Sequence, residues 1–532
     1  MTHRIALLLV VLLPGCDRPA PAPTVPLYDN LGTLHHEVTA TPEAQRYFDQ
    51  GLRLIYAFNH EEAIRAFNQA ERLDPKCAMC AWGEALALGP NINAPMDSAA
   101  ATRARAAVER ARAKAAAVSE PERAYIEALS LRYALPLADR ARHDSAYATA
   151  MGAVADRHPD DRDAQVLHAE ALMDLSPWDY WTADGSPRPD TPRILERLET
   201  VVAADPGHPG ACHYYIHAVE AFHAQKAVAC AERLATEMPG AGHLVHMPGH
   251  IYIRVGRWGD AIEANHHAVH VDEALYHEAK LDPSGMYGQG YVPHNNHFLG
   301  FAASMAGQSR TAIDAARASA KAVSLDAAKA FPPVQWMATP VWTTLVTFGR
   351  WDDILAEPMP DPALRYANAI AWYARGVASA RTGKRDAARV ALDSVRAIEG
   401  AVPEDDNRRA LRIAAAALEG EMALSERQAA KAIAPFTRAV AIEDSLRYME
   451  PPIWYYPVRQ SLGRALMEAG RAKDAERVYR EDLRHFPDNG WSLTGLALSL
   501  DAQGRKAEAA DVRRRLGKVW KDADVTPTAS RF

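Results

Sequence analysis

The stretch Tyr47–Pro75, YFDQGLRLIYAFNHEEAIRAFNQAERLDP, decides the architecture. Large residues at Tyr47 and Leu54 bracket Gly51, and a second run places Ala63, Phe67 and Ala70 on one helical face before Pro75 stops it. Apolar residues at i, i+3, i+4 and i+7 specify amphipathic helices. Two such helices, antiparallel across a tight turn, need small residues where they cross and bulky ones between. Gly51 and Ala63 meet that need, and Phe67 fills the gap.

The same grid recurs along the chain. Gly463, Leu466, Gly470, Ala475, Tyr479 and Pro487 repeat it, and Gly504 and Ala509 follow Gly470 and Ala475 by 34 residues. Trp372, Gly376, Gly383 and Ala388 form another unit, as do Gly300, Gly307 and Ala312. Gly249, Tyr252, Gly256, Ala261 and Ala268 give one more, and Ala227 with Pro239 a weaker one. A fixed period of this kind marks a solenoid in which each unit buries its face against the next.

This pattern resembles the tetratricopeptide (TPR) consensus. The resemblance implies an all-α fold, a TPR-type helical-hairpin solenoid wound as a right-handed superhelix of about ten to twelve helix pairs. It overrules the several separate domains that 532 residues alone suggest. The units are expected over residues 41–522, with insertions near 88–118 and 268–290 and a tail over 523–532.

The N-terminus suggests a compartment. Arg4 precedes an apolar run from Ile5 to Leu13, too short to span a bilayer, and Leu13-Pro14-Gly15-Cys16 follows. That motif resembles a bacterial lipobox, with Cys16 as the lipidated residue and residues 1–16 as the signal. An ordinary signal peptide cut elsewhere is the competing reading. Pro19, Pro21, Pro23 and Pro26 make residues 17–40 a stiff tether. The chain as a whole thus resembles a bacterial TPR lipoprotein, expected on the periplasmic side of the cell envelope and anchored by lipid alone. Cys77, Cys80, Cys212 and Cys230 remain for disulfides in such an oxidising place. A net charge of -7 leaves no cationic footprint for nucleic acid.

Histidine is concentrated. Thirteen of 21 lie between His208 and His297, where an even spread gives about 3.6. His243, His246 and His250 stand at i, i+3 and i+7, and His294 and His297 at i and i+3. On the repeat grid these five occupy first-helix positions that, by the resemblance, face a concave groove. His213 and His217, at i and i+4, fall at its edge or between helices, and Glu220 faces it. Converging neutral imidazoles suit a transition metal, Zn, Cu or Fe. Glu220 is the candidate ligand or general base, and Tyr252, Tyr291 and Asn295 are candidate supporting groups.

Two other readings stand beside this one. The groove histidines could contact a peptide or protein ligand, the usual work of TPR scaffolds, or serve packing alone. His266, His267, His270 and His277 read as surface residues. Pro248-Gly249 interrupts the helix expected to carry His243, His246 and His250, and proline there kinks or breaks it. No phosphate loop, nucleophile elbow, zinc-protease pair or dinucleotide fingerprint is present. Whether the chain is an enzyme is therefore left to the histidines.

Overall fold

The computed structural model describes residues 25–532; Cys16 and the first part of the expected tether lie outside them. Helices follow one another in antiparallel pairs from Pro42–Tyr56 and His60–Leu73 to Gly490–Ala502 and Lys506–Val519. Twelve such pairs can be traced, and no strand forms among the described residues. The protein is an all-α helical-hairpin solenoid.

The opening pair shows why. Pro42 starts its first helix where the missing N–H costs nothing, and Asn59 caps the second by accepting from the Glu62 N–H. Phe67 of the second helix is wedged between Gly51 of its partner and Gly83 of the next unit. A Cβ on Gly51 would stand 2.6 Å from the Phe67 ring. Tyr479 repeats the wedge between Gly463 and Gly495 near the other end.

The turn inside a pair requires a left-handed residue, and Gly256, Gly307 and Gly470 supply it at φ +79°, +73° and +73°. In the first pair the same place belongs to Phe58, at φ +54°.

Several boundaries differ from the sequence reading. From Val25 the expected tether lies along the first helix, because the Tyr28 N–H donates to Gln50 and the Tyr47 hydroxyl to the Val25 carbonyl. Of the insertion expected near 88–118, Ser98–Lys114 is an ordinary second helix, so the extra chain is the loop before it. Around 268–290, Trp258–Ala279 runs on for 22 residues, and a wide turn, Tyr287–Tyr291, leads into Val292–Met305. The end of the tail folds back, with Ser530 donating to the Gln460 carbonyl and Arg531 stacked 4.0 Å over Tyr456.

Pro248 breaks its helix as its chemistry demands. The hydrogen-bond ladder divides there into Gly242–His246 and Pro248–Arg254, while Met247 between them keeps helical backbone at φ -52° and ψ -35°. Cys77 is bonded to Cys80, and Cys212 to Cys230 across the helices Pro209–His223 and Val228–Glu237.

The solenoid also closes on itself. The carbonyl of Tyr56 accepts from His213, 157 residues away, and the Tyr455 hydroxyl donates to the His297 carbonyl, 158 residues away. These closures enclose the histidine region.

Candidate metal centre

Three consecutive first helices supply the cluster. Pro209–His223 brings His213, His217 and Glu220; the broken helix brings His243, His246 and His250; Val292–Met305 brings His294. His213, His246 and Glu220 have no exposed surface. What the sequence suggested as an open groove is a buried cluster beneath a cavity.

Most of the inner nitrogens have a defined proton state. His213 Nδ1 lies 2.6 Å from the Tyr56 carbonyl, so it must carry the proton. His246 Nδ1 lies 2.6 Å from Asn265 Oδ1, whose orientation is fixed because its Nδ2 donates to the Ala261 carbonyl. His217 Nδ1 faces Glu220 Oε1 at 3.2 Å. His250 Nδ1 stands 2.5 Å from Glu220 Oε2, in charge contact although off the line of a good hydrogen bond.

Glu220 is ionised there. Burial opposes its charge, but His250 and His217 outweigh burial and bring the carboxyl down to about 2. A nitrogen facing that anion presents a proton, so His217, like His213 and His246, keeps a lone pair on Nε2.

The consequence appears at His246 and His250, whose Nε2 atoms are 2.9 Å apart. His246, with its Nδ1 donor committed to Asn265, turns its Nε2 lone pair toward His250. Burial, reinforced by neighbouring imidazoles, holds His246 well below its ordinary range. His213, His243 and His294 are depressed for the same reason. His213 and His243 also meet through Nε2, at 3.2 Å, while His243 Nδ1 and His217 Nε2 are buried without any partner.

Three overlapping groups have ligand atoms within 4.8 Å of one another: His213, His217 and His243; His246, His250 and His294; and His217, Glu220 and His250. His297 stands apart, its ring stacked on Tyr455 at 4.8 Å. Tyr291 packs edge-on to His243. Asn295 donates to Asp272, which accepts from the Tyr287 hydroxyl that in turn receives the His243 N–H. Tyr252 lies away from the cluster, under the Arg257 guanidinium. His266, His267, His270 and His277 are exposed.

Sequence reasoning passed over three contributors, Phe58, Asn265 and Glu450, and read a fourth, Trp178 of the Trp178-Asp-Tyr180-Trp181 cluster, as core or interface rather than ligand stacking. Phe58 sits 4.4 Å from the His213 ring and stacks on His243. Trp178, also left-handed at φ +64°, meets His217 edge-on at 5.0 Å. Asn265 orients His246, and Glu450 lies on the cavity wall. Phe58 had a visible signal, as a bulky residue at a recurring glycine position, and Trp178 had one in its aromatic cluster.

Above the cluster is a cavity of about 310 Å³, floored by His217, His243, His250 and His294 and walled by Trp178, Trp336 and Met449. The inserted loop contributes Asn93, which joins the Trp178 indole to the Tyr291 hydroxyl. Glu450 is buried with neither carboxylate oxygen hydrogen-bonded, and burial raises it to about 7 despite Arg254 nearby.

A separate cluster joins His36, Asp161 and Asp163. Asp163 accepts from the Tyr56 hydroxyl at 2.6 Å and pairs with His36 at 2.8 Å. These contacts fasten the N-terminal segment to the fourth helix pair.

No protein-family model and no curated sequence matches this chain. Among solved structures it is similar to a human IFIT1 dimer with m7Gppp-AAAA, at 10% identity over 91% of each chain and a TM-score of 0.32. It is also similar to the P58(IPK) TPR domain, at 11% identity over 90% of this chain and 97% of that one, with a TM-score of 0.19. A third is Naa15/Naa10 bound to HypK-THB, at 12% identity over 90% of this chain and 70% of that one, with a TM-score of 0.23.

Proposed function

We propose that this chain is a lipid-anchored, periplasm-facing repeat protein whose histidine cluster binds a transition metal. One observation carries the metal reading: His213, His217 and His243, and beside them His246, His250 and His294, bring the ligand nitrogens of each trio within 4.8 Å of one another. His213 and His246 are held through Nδ1 by the Tyr56 carbonyl and Asn265, so that Nε2 is free to bind. An electron-pair acceptor among these nitrogens would take up those lone pairs. Neutral imidazole suits Zn, Cu or Fe, and outer partners of this kind fix the ring that binds. The cavity over the cluster has the volume for a small apolar molecule. It is less suited to an extended peptide, the occupant expected of a scaffold.

The anchor rests on Leu13-Pro14-Gly15-Cys16. The two disulfides accord with an oxidising compartment.

Metal content by mass spectrometry tests the first part, using the full chain purified without a histidine tag and reconstituted with Zn, Cu or Fe. At least one metal per chain is expected. Less is expected when His246→Ala, His250→Ala and His294→Ala are combined with helicity retained. No metal in the parent would sink this reading and direct the search to protein partners by crosslinking. For the anchor, Cys16→Ser is expected to release the chain from the membrane fraction.

A further inference from the structure

The histidine cluster is the same arrangement made twice. His213 and His217 stand one turn apart on one first helix, and His243 joins them from the next unit. His246 and His250 stand four residues apart across the Met247 break, and His294 joins them from the unit after. In both, two imidazoles come from one unit and the third from its successor. The solenoid repeat thus carries a three-histidine site forward by one unit.

We infer that the cluster is a dinuclear centre, one metal ion on His213, His217 and His243 and a second on His246, His250 and His294. This inference rests on the metal-binding reading above and adds the number and partition of the ions. A tetrahedral metal about 2.0–2.1 Å from each imidazole nitrogen sets its ligand atoms about 3.4 Å apart. The ligand nitrogens of each triad already lie within 4.8 Å of one another, and rotation of the rings about their side-chain bonds can close the remainder. One ion cannot serve all six rings, because two triads of lone pairs exceed its tetrahedral set.

The triads also adjoin. Across their boundary, ring centroids are 5.2 Å apart for His217 and His250 and 5.6 Å for His243 and His246. Paired catalytic metals sit about 3.5–4 Å apart, a spacing that adjoining triads of this size accommodate. Glu220 joins the halves, with one carboxylate oxygen at a ring of each triad. Its single negative charge, buried midway, offsets part of the repulsion between two cations.

Each triad also has an outlet. His217 and His243 from the first, and His250 and His294 from the second, line the same cavity. Three protein ligands leave a fourth position on each metal, the open arrangement of reactive rather than structural sites. Two open positions on one cavity would hold a small bridging ligand such as water or hydroxide.

Stoichiometry decides the matter. The full chain is titrated with Co(II), following ligand-field absorption, and its bound metal is measured by mass spectrometry after removal of excess. The expected result is an end point at two equivalents. His213→Ala and His246→Ala, each checked for helicity, are expected to retain one equivalent apiece, and their combination none. An end point at one equivalent, abolished by either variant, overturns the dinuclear assignment while leaving metal binding intact. No bound metal overturns both readings. Should either variant fail to fold, the unaltered chain still answers through Cu(II) electron paramagnetic resonance. Two neighbouring ions give a coupled or silent spectrum at two equivalents, whereas an isolated-ion signal of full intensity overturns the inference.

Discussion

Phe58 lays its ring 4.4 Å from that of His213 and does so from a left-handed backbone. The equivalent turn in other units belongs to glycine, as at Gly256 and Gly307. Residues kept in such conformations tend to gather at functional sites, where the surroundings hold them. The side chain fills the space against His213, His217 and His243, and that packing offsets the backbone cost.

Truncating Phe58 should therefore reverse the usual order of small residues. Phe58→Ala removes a buried ring, a loss of about 3–5 kcal/mol, and leaves a β-carbon at positive φ. Phe58→Gly removes the same ring but relaxes the backbone, so it should be more stable than Phe58→Ala by about 1 kcal/mol. Denaturant unfolding of both variants measures the difference, and an alanine variant as stable as the glycine one would contradict the account.

The fold was legible because helix crossings leave fixed marks: a small residue at Gly51, a ring at Phe67, a stop at Pro75. The i, i+4 pairs His213/His217 and His246/His250 were legible for the same local reason. Their enclosure was not. The repeat grid places His213 and His217 at the groove edge or between helices without choosing, and Tyr56, reaching His213 across 157 residues of sequence, puts it inside. Closure of a solenoid on itself sums many small rotations between units, and no single window of sequence encodes it. Asn265 was missed because an asparagine within a helix has no periodicity of its own.

The wedge at Phe67 predicts a specific coupling. Gly51→Ala places a methyl group against that ring, and overpacking of this kind costs about 1–3 kcal/mol, despite alanine's better helix propensity. Phe67→Leu alone also destabilises, by loss of packing. Combined, the two should cost less than the sum of the singles, by about 0.5 kcal/mol or more. Strict additivity in a double-mutant cycle would show that the ring does not fill the space between those helices.

Glu220 orients one ring of each triad, so its charge should govern affinity more than folding. Glu220→Gln keeps the size of the side chain and removes the anion facing His217 and His250. Changes to such outer partners typically weaken metal binding about 10–100-fold. Competition against a chelator of known affinity reads that loss, with circular dichroism confirming retained helicity. Unchanged affinity would remove Glu220 from the centre.

The N-terminal segment should loosen in alkali. Burial disfavours charge on His36, but the hydrogen bond and charge of Asp163 prevail and raise the ring to about 9 from an ordinary 6.5. Asp161 and Asp49 face the same ring and act in the same direction. The folded protein therefore holds the proton more tightly than the unfolded chain. The stabilisation from this pair is complete below about pH 6.5 and fades as pH rises through about 9. A shift of this size corresponds to roughly 3 kcal/mol at most. Thermal unfolding of the parent should thus decline more steeply between pH 6.5 and 9.5 than that of His36→Gln. Amide exchange at Leu34–Val38 should rise over the same interval in the parent. Parallel pH profiles for the two proteins would show that the His36–Asp163 pair does not fasten this segment.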